Sequence, residues 1–293
     1  MSKLTLALCQ TAVTADKEKN ILNAEDDIAK AARMGADLAV LPEMFNCPYE
    51  NSWFLKFAEP EGGSTYTRLS KLARKSGIIL VGGSIPEVDD EGKIYNTSYS
   101  FNPRGELIGK HRKAHLFDID IKGGQKFRES DTLSPGEKVT VIDTEFGKIG
   151  VAICFDIRFP ELFRAMTLAG ARLIIVPAAF NMTTGPAHWE LTFRMRAVDN
   201  QVFMAGAAPA RDESASYISY GNSIITNPWG EVISRLGPEE GILFQEINLE
   251  EVEEIREQLP LISSLKRELY PLPEDIFKSP GKVRPGLRTF RRI

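Results

Sequence analysis

Apolar and polar positions alternate with two different periods along this chain, and the switches between them mark its elements. Leu4, Leu6 and Leu8 in KLTLALCQ recur with period two and predict a first strand. Ile21, Ala24, Ile28 and Ala31 recur at helical spacing, which predicts a helix over Ile21–Met34 stopped by Gly35. A buried strand is expected in DLAVLPE (37–43), then a helix over Thr65–Lys75 and a strand in IILVGG (78–83). IYNTSYSF (94–101), the turn NPRG (102–105) and ELIGK (106–110) read as a hairpin. After a loop-rich connector come strands in VTVIDT (139–144), KIGVAIC (148–154), RLIIVP (172–177) and QVFMAG (201–206). Between them lie a helix opening at Pro160 and another over Ala187–Val198. A hairpin over 218–235 around NPWG, a strand in GILFQEI (241–247) and a helix over Leu249–Gln258 complete the series. Strands alternating with helices and followed by hairpins predict an α/β protein with a mixed sheet.

The pattern also repeats. KLTLALCQ (3–10) aligns with KIGVAICF (148–155), and GADLAVLPEMFN (35–46) with GARLIIVPAAFN (170–181). GIILVGGSIPE (77–87) aligns with NQVFMAGAAPA (200–210), and SYSFNPRGELI (98–108) with SIITNPWGEVI (223–233). Four blocks in one order imply two related layers, each backed by helices, joined by the unrepeated stretch Lys110–Glu137. Neither half can bury its sheet face alone. The expectation is therefore one domain over 1–260, a four-layer α-β-β-α sandwich of pseudo-two-fold symmetry, with an extension over 261–293.

Composition narrows the class. A chain of 293 residues, 43% hydrophobic and 26% charged, buries enough surface to fold without disulfide or metal. Its three cysteines are too few and scattered for a disulfide framework or a zinc site, so no metal is expected. The apolar run in MSKLTLALCQTAV is too short for a secretory signal, and no stretch approaches a membrane span. A cytoplasmic protein with no membrane partner is expected. The net charge of −4 argues against a nucleic-acid partner. That charge is uneven: Lys278, Lys282, Arg284, Arg288, Arg291 and Arg292 leave −10 over Met1–Asp275. The basic tail reads either as a solvated segment or as an arm for an acidic partner subunit.

Candidate chemistry sits where the repeat is broken. Cys154 ends one strand and its counterpart Cys9 ends the other, but only Cys154 precedes a strand-to-helix turn, FDIRFPE. There a thiol is lifted clear of the sheet beside backbone N–H groups that can hold negative charge. The alternative for Cys154 is a buried structural cysteine; Cys9 is taken as packing. Glu43 ends DLAVLPE opposite Ala178, and burial would raise its carboxyl toward the range of a general base; the alternative is a strand-end ion pair. Lys113 lies in the basic run Lys110–His115, either a solvated loop or a buried ammonium able to hold an oxyanion. His111, His115 and His188 would be needed by a Cys–His protease, which has no use for a duplicated sandwich. His115 is better explained as packing or support, and His188 as a hydrogen-bonding helix residue. Arg158 is either a cation for a nearby pocket or a tie between its turn and an acid, and the tie is the favoured reading. A non-catalytic binding protein would be expected to lose one of Glu43, Lys113 or Cys154, and all three are present.

LPEMFNCPY (41–49), HRKAHLFDID (111–120), Glu129 in FRESDTLSPGE and GVAICFDIRFPEL (150–162) resemble the carbon–nitrogen hydrolase (nitrilase) superfamily over about Leu4–Ile247. HLFDIDIKGG, LSPGE, PAAFNMTTGPAHWELTFRMRAVDNQVF (177–203) and SYGNSIITNPWGEV (219–232) are most similar to its omega-amidase branch. The resemblance implies Cys154 as nucleophile, Glu43 as general base, Lys113 as oxyanion donor and Glu129 as a second acid. It implies a cofactor-free amidase acting on a small dicarboxylic acid monoamide, such as 2-oxoglutaramate or 2-oxosuccinamate, through a thioester. Deaminated glutathione and N-carbamoyl amines are alternative substrates within the superfamily; a nitrile is a weaker one. Tyr49, Phe180, Thr184 and Arg211 are the expected substrate contacts, and a homodimer or larger homo-oligomer is the expected assembly.

Overall fold

The structure, a computed structural model, describes residues 2–122 and 125–266; Gly123, Gly124 and the basic tail lie outside them. The first half runs β1 (Lys3–Gln10), α1 (Lys17–Arg33), β2 (Leu38–Val40), α2 (Asn51–Phe57), α3 (Ser64–Ser76), β3 (Ile79–Val81), β4 (Ile85–Val88), β5 (Ile94–Phe101) and β6 (Leu107–Arg112). A connector holds the short hairpin β7 (Asp118–Asp120) and β8 (Lys126–Arg128) and a 3-10 turn, Glu129–Asp131. The second half runs β9 (Thr140–Thr144), β10 (Gly147–Val151), a 3-10 turn (Cys154–Arg158), α4 (Pro160–Leu168), β11 (Leu173–Pro177), α5 (Gly185–Asn200), β12 (Phe203–Ala207), β13 (Ile224–Thr226) and β14 (Val232–Arg235). Last come β15 (Gly241–Asn248) and α6 (Glu251–Gln258).

The expected α-β-β-α sandwich is what the chain builds. One sheet is ordered β15-β1-β2-β3-β5, with β4 and β6 also paired to β5; the other is β14-β13-β12-β11-β10-β9. The repeat maps strand onto strand: β1 on β10, β2 on β11, β3 on β12 and β5 on β13. Leu4, Leu6 and Leu8 point into the core between the sheets, where they meet Ile149, Val151, Leu173 and Ile175. The alternate residues Ala7 and Cys9 face Ile21, Ala24 and Ile28 of α1. Each large apolar side chain moved from water into that core is worth about 2 kcal/mol, so period two in β1 fixes which face turns inward.

Three details differ from the sequence expectation. Helix α1 starts four residues earlier than its apolar periodicity, because Asp16 caps it by accepting from Lys19 N–H at 3.1 Å. Helix α2, strand β4 and the hairpin β7–β8 were not foreseen, being short and without clear periodicity. Strand β10 stops at Val151, three residues before Cys154, so KIGVAIC is not one continuous strand. Among the described residues no helix is long and apolar enough to cross a membrane.

Candidate active site

Four segments from both halves converge at one end of the sandwich. Glu43 stands just past β2 and is 1% exposed; Met44 beside it takes the left-handed backbone at φ 49°. Its Oε1 accepts from Lys113 Nζ at 2.9 Å and Asn96 Nδ2 at 2.8 Å, and lies 3.1 Å from Tyr49 Oη. Its Oε2 accepts from the Ala179 N–H at 2.8 Å, across the sandwich beyond β11.

Lys113 follows β6 and is fully buried. Its backbone is pinned on both sides, N–H to the Asn96 carbonyl and carbonyl to the Gly136 N–H, each at 2.8 Å. Gly136 approaches so closely that a Cβ there would sit 2.1 Å from the Arg112 carbonyl oxygen, which only glycine permits. The ammonium donates to Glu43 and to Glu129 at 3.0 Å, and lies 3.2 Å from Tyr49 Oη. Glu129, also fully buried, is anchored by the Phe117 N–H at 2.6 Å and accepts from the Tyr49 hydroxyl at 2.5 Å.

Cys154 opens the 3-10 turn with φ 44°, a left-handed conformation that a residue with a Cβ rarely adopts. Helix α4 starts at Pro160, whose missing N–H costs nothing at a first turn. The Glu43 carboxylate and the Lys113 ammonium both act on its thiol, in opposite directions.

Charge explains how the site holds protons. Burial, then the charge of Glu129, raises the Glu43 carboxyl above its usual value, with Lys113 opposing. Burial alone would lower the Lys113 ammonium, but the charges of Glu129 and Glu43 carry it above its usual value, so it stays protonated. Burial and Glu43 push the Cys154 thiol well up, against the pull of Lys113. Two carboxylates thus share one ammonium beside a neutral thiol, the pairing a carboxylate needs to act as base toward it.

The family model for carbon–nitrogen hydrolases matches residues 5–257. The chain belongs to the carbon–nitrogen hydrolase family. Within this family of hydrolases its similarity runs to omega-amidases: the omega-amidase NIT2 of Xenopus tropicalis is 50% identical over 94% of this chain and 99% of its own. Nit3 of Saccharomyces cerevisiae, a member of branch 10 of the nitrilase superfamily, superposes with a TM-score of 0.84 at 45% identity, covering 91% of this chain and 97% of that one. A point mutant of the amidase from Nesterenkonia sp. AN1 superposes with a TM-score of 0.77 at 26% identity, covering 92% and 95%. In that amidase the acetamide moiety of fluoroacetamide is added covalently at the active-site cysteine.

The hydrolase site brings together Glu43, Lys113, Glu129 and Cys154, and adds Tyr49. A cavity of about 60 Å³ lies against it, lined by Glu43, Met44, Tyr49, Ala179 and Tyr217 among others. Tyr49 was expected as a wall; its ring is one, tilted against Tyr217 with centroids 4.6 Å apart, but its hydroxyl lies inside the charged cluster. Phe180, Thr184 and Arg211 do not line this cavity, and neither do Lys113, Cys154 or Arg158. Phe180 packs on Trp189 and beneath the Arg158 guanidinium. Thr184 directs both its N–H and its hydroxyl to Asn181 Oδ1 at 2.9 and 3.1 Å. Arg211 donates to the Tyr220 carbonyl at 3.0 Å and covers the Tyr220 ring.

Arg158 does not tie its turn to an acid. Among the described residues it has no carboxylate partner; it meets His188 Nδ1 at 3.1 Å and lies over the rings of Phe155 and Phe180. Burial lowers its guanidinium from the usual value, opposed by the charges of Cys154 and Tyr217. His188 is half-buried at this contact rather than in the core.

Proposed function

We propose that this hydrolase is an omega-amidase that converts the terminal amide of 2-oxoglutaramate or 2-oxosuccinamate to the acid and ammonia, with Cys154 as nucleophile. The carrying observation is the convergence of Glu43, Lys113, Glu129 and Cys154 from both halves into one buried cluster. Glu43 takes the Cys154 proton as sulfur attacks the amide carbon. The carbonyl electrons move to oxygen, and Lys113 with a backbone N–H of the turn holds the oxyanion. All three Lys113 protons are already engaged, and the Tyr49 contact is the longest at 3.2 Å. The oxyanion therefore takes the place of Tyr49 on the ammonium. The C–N bond then breaks, the proton passes to nitrogen and ammonia leaves a thioester. Water, deprotonated by Glu43, attacks that thioester; the C–S bond breaks and the thiol is restored. Glu129 holds Lys113 in place throughout.

Arg158 is the cation proposed to receive the substrate's distal carboxylate. A half-buried guanidinium without an acid is short of a counterion, and a bidentate carboxylate supplies one. Arg211 already donates to the Tyr220 carbonyl, and Thr184 donates to Asn181. The enzyme is further proposed to be cytoplasmic and to work as a homodimer. Leu191, Met195 and Val198 form an exposed apolar stripe on α5, 58%, 44% and 38% accessible, with Trp229 nearby at 55%. A soluble monomer seldom leaves such a stripe to water. Light scattering giving a monomer mass would contradict that assembly.

The test of function is ammonia release from 2-oxoglutaramate, 2-oxosuccinamate, deaminated glutathione, N-carbamoyl amines and simple nitriles. The expected order has the two oxo-acid monoamides first by kcat/KM. A preference for deaminated glutathione or a carbamoyl amine overturns the substrate assignment and leaves the chemistry standing.

A further inference from the structure

One fully buried carboxylate takes no part in the chemistry above. Asp156 lies two residues after Cys154, and its hydrogen bonds run to the segment that carries Lys113. Oδ1 accepts from the His115 backbone N–H at 2.9 Å and meets His115 Nδ1 at 2.8 Å. Oδ2 accepts from the Ile153 N–H at 3.0 Å and meets His111 Nε2 at 3.0 Å. Burial alone would raise this carboxyl; the bonds from His111 and His115 hold it well below its usual range. An ionised carboxylate only accepts, so His115 carries a proton on Nδ1 and His111 on Nε2. The Thr140 hydroxyl lies 3.0 Å from His111 Nδ1, and the His115 ring stacks on Phe159 at 3.6 Å.

The spacing gives these contacts their meaning. His111 and His115 stand two residues on either side of Lys113, and both reach one carboxylate. That carboxylate also holds Ile153, the residue before Cys154. One side chain of the second half thus grips the first half on both flanks of its ammonium. We propose that Asp156 is a positioning residue, a clamp that sets the placement of the Lys113 ammonium against the Cys154 sulfur. The proposal rests on the roles assigned above to Lys113 and Cys154. It names Asp156, His111 and His115 as determinants of rate that touch neither substrate nor reacting atoms.

Asp156→Asn tests the clamp, because an amide nitrogen placed toward the Ile153 N–H breaks the all-acceptor pattern. The expected result is a roughly 100-fold fall in kcat with KM within about threefold, the pattern of displaced machinery rather than lost substrate binding. His115 is one-third exposed at its side chain and gives a milder probe should Asp156→Asn not fold. His115→Ala is expected to cost kcat roughly 10-fold, and His115→Asn to restore most of it, since the Asn amide can donate from near the Nδ1 position. The double variant Asp156→Asn with His115→Ala is expected to be no slower than Asp156→Asn alone. Unchanged kcat in a folded Asp156→Asn protein overturns the clamp, as does His115→Asn no better than His115→Ala, or multiplying losses in the double variant. A wild-type protein that releases no ammonia from any amide contradicts the functional proposal instead. In that case alkylation of Cys154 by iodoacetamide, followed by mass spectrometry, still decides the clamp. A slower rate in Asp156→Asn or His115→Ala upholds it, and an unchanged rate overturns it.

Discussion

The ends of β1 and β10 are the same place in two copies of one layer, and they do opposite work. At the end of β1, Cys9 stays inside the ladder, paired with Ile242, and Gln10 follows it opposite Gly241. At the end of β10 the last antiparallel pair is Val151 with Thr140, so the chain is free to turn before Cys154. The difference comes from the edge partner. Strand β15 has eight residues and holds β1 to its end; β9 has five and releases β10 early. Burial raises both thiols, but only Cys154 has a carboxylate, an ammonium and a backbone N–H gathered around it. Gln10 shows what the first end is for. Its amide donates to the carbonyls of Gly237 and Glu239 at 2.7 and 2.6 Å and accepts from Ser223 N–H and hydroxyl at 2.8 and 2.9 Å. One strand end holds the halves together; the other carries the chemistry. Sheet position alone does not make a nucleophile.

Substitutions can sharpen or break this contrast. Cys154→Ala is expected to lower kcat by at least about 10⁴-fold, whereas Cys9→Ala leaves kcat within about twofold, measured by ammonia release. Equal losses at both would erase the distinction. Glu43→Gln is expected to cost roughly 10²–10⁴-fold in kcat. A base is inactive once protonated, and the Glu43 carboxyl is raised above its usual 4.5, so the acid limb of the wild-type pH–rate profile should fall at a higher pH than an ordinary carboxylate gives. That limb should vanish in Glu43→Gln. Arg158→Ala is expected to raise KM roughly 10–100-fold for a carboxylate-bearing amide and hardly at all for propionamide, from the loss of a charged hydrogen-bond pair. Gln10→Ala should move rate least, within about threefold, yet lower unfolding stability by about 2–4 kcal/mol in urea titration by orphaning buried partners. A Gln10 variant that lost rate without losing stability would break the division of labour between the two ends.

Much of this was legible in the chain itself. Leu4, Leu6 and Leu8 announce β1 because every second residue has to meet the opposite sheet. The repeat exposed Glu43 and Cys154 because their counterparts Ala178 and Cys9 lack the same surroundings. What stayed hidden was non-local. Asn96 and Ala179 bind Glu43 from 53 and 136 residues away, and no local pattern records such pairings. Tyr49 shows its ring in sequence but not where its hydroxyl points. Arg158 was expected to find an acid because DIRFPE has two close by. Yet Asp156 is taken up by His111, His115 and Ile153, which leaves the guanidinium to Phe155, Phe180 and His188.

The pairing of β15 with β1 joins residues more than 230 positions apart, from Lys3 with Asn248 to Gln10 with Gly241. During synthesis, Glu43, Lys113, Glu129 and Cys154 all emerge before the strand that completes the first sheet. Until β15 arrives, β1 has a bare edge, while β2, which leads directly to Glu43, lies between that strand and β3. Closing such a distant contact is slow compared with local helix formation, so assembly of the sandwich is governed by its last strand. The growing chain thus carries its thiol for about ninety residues of translation before the first sheet can be completed.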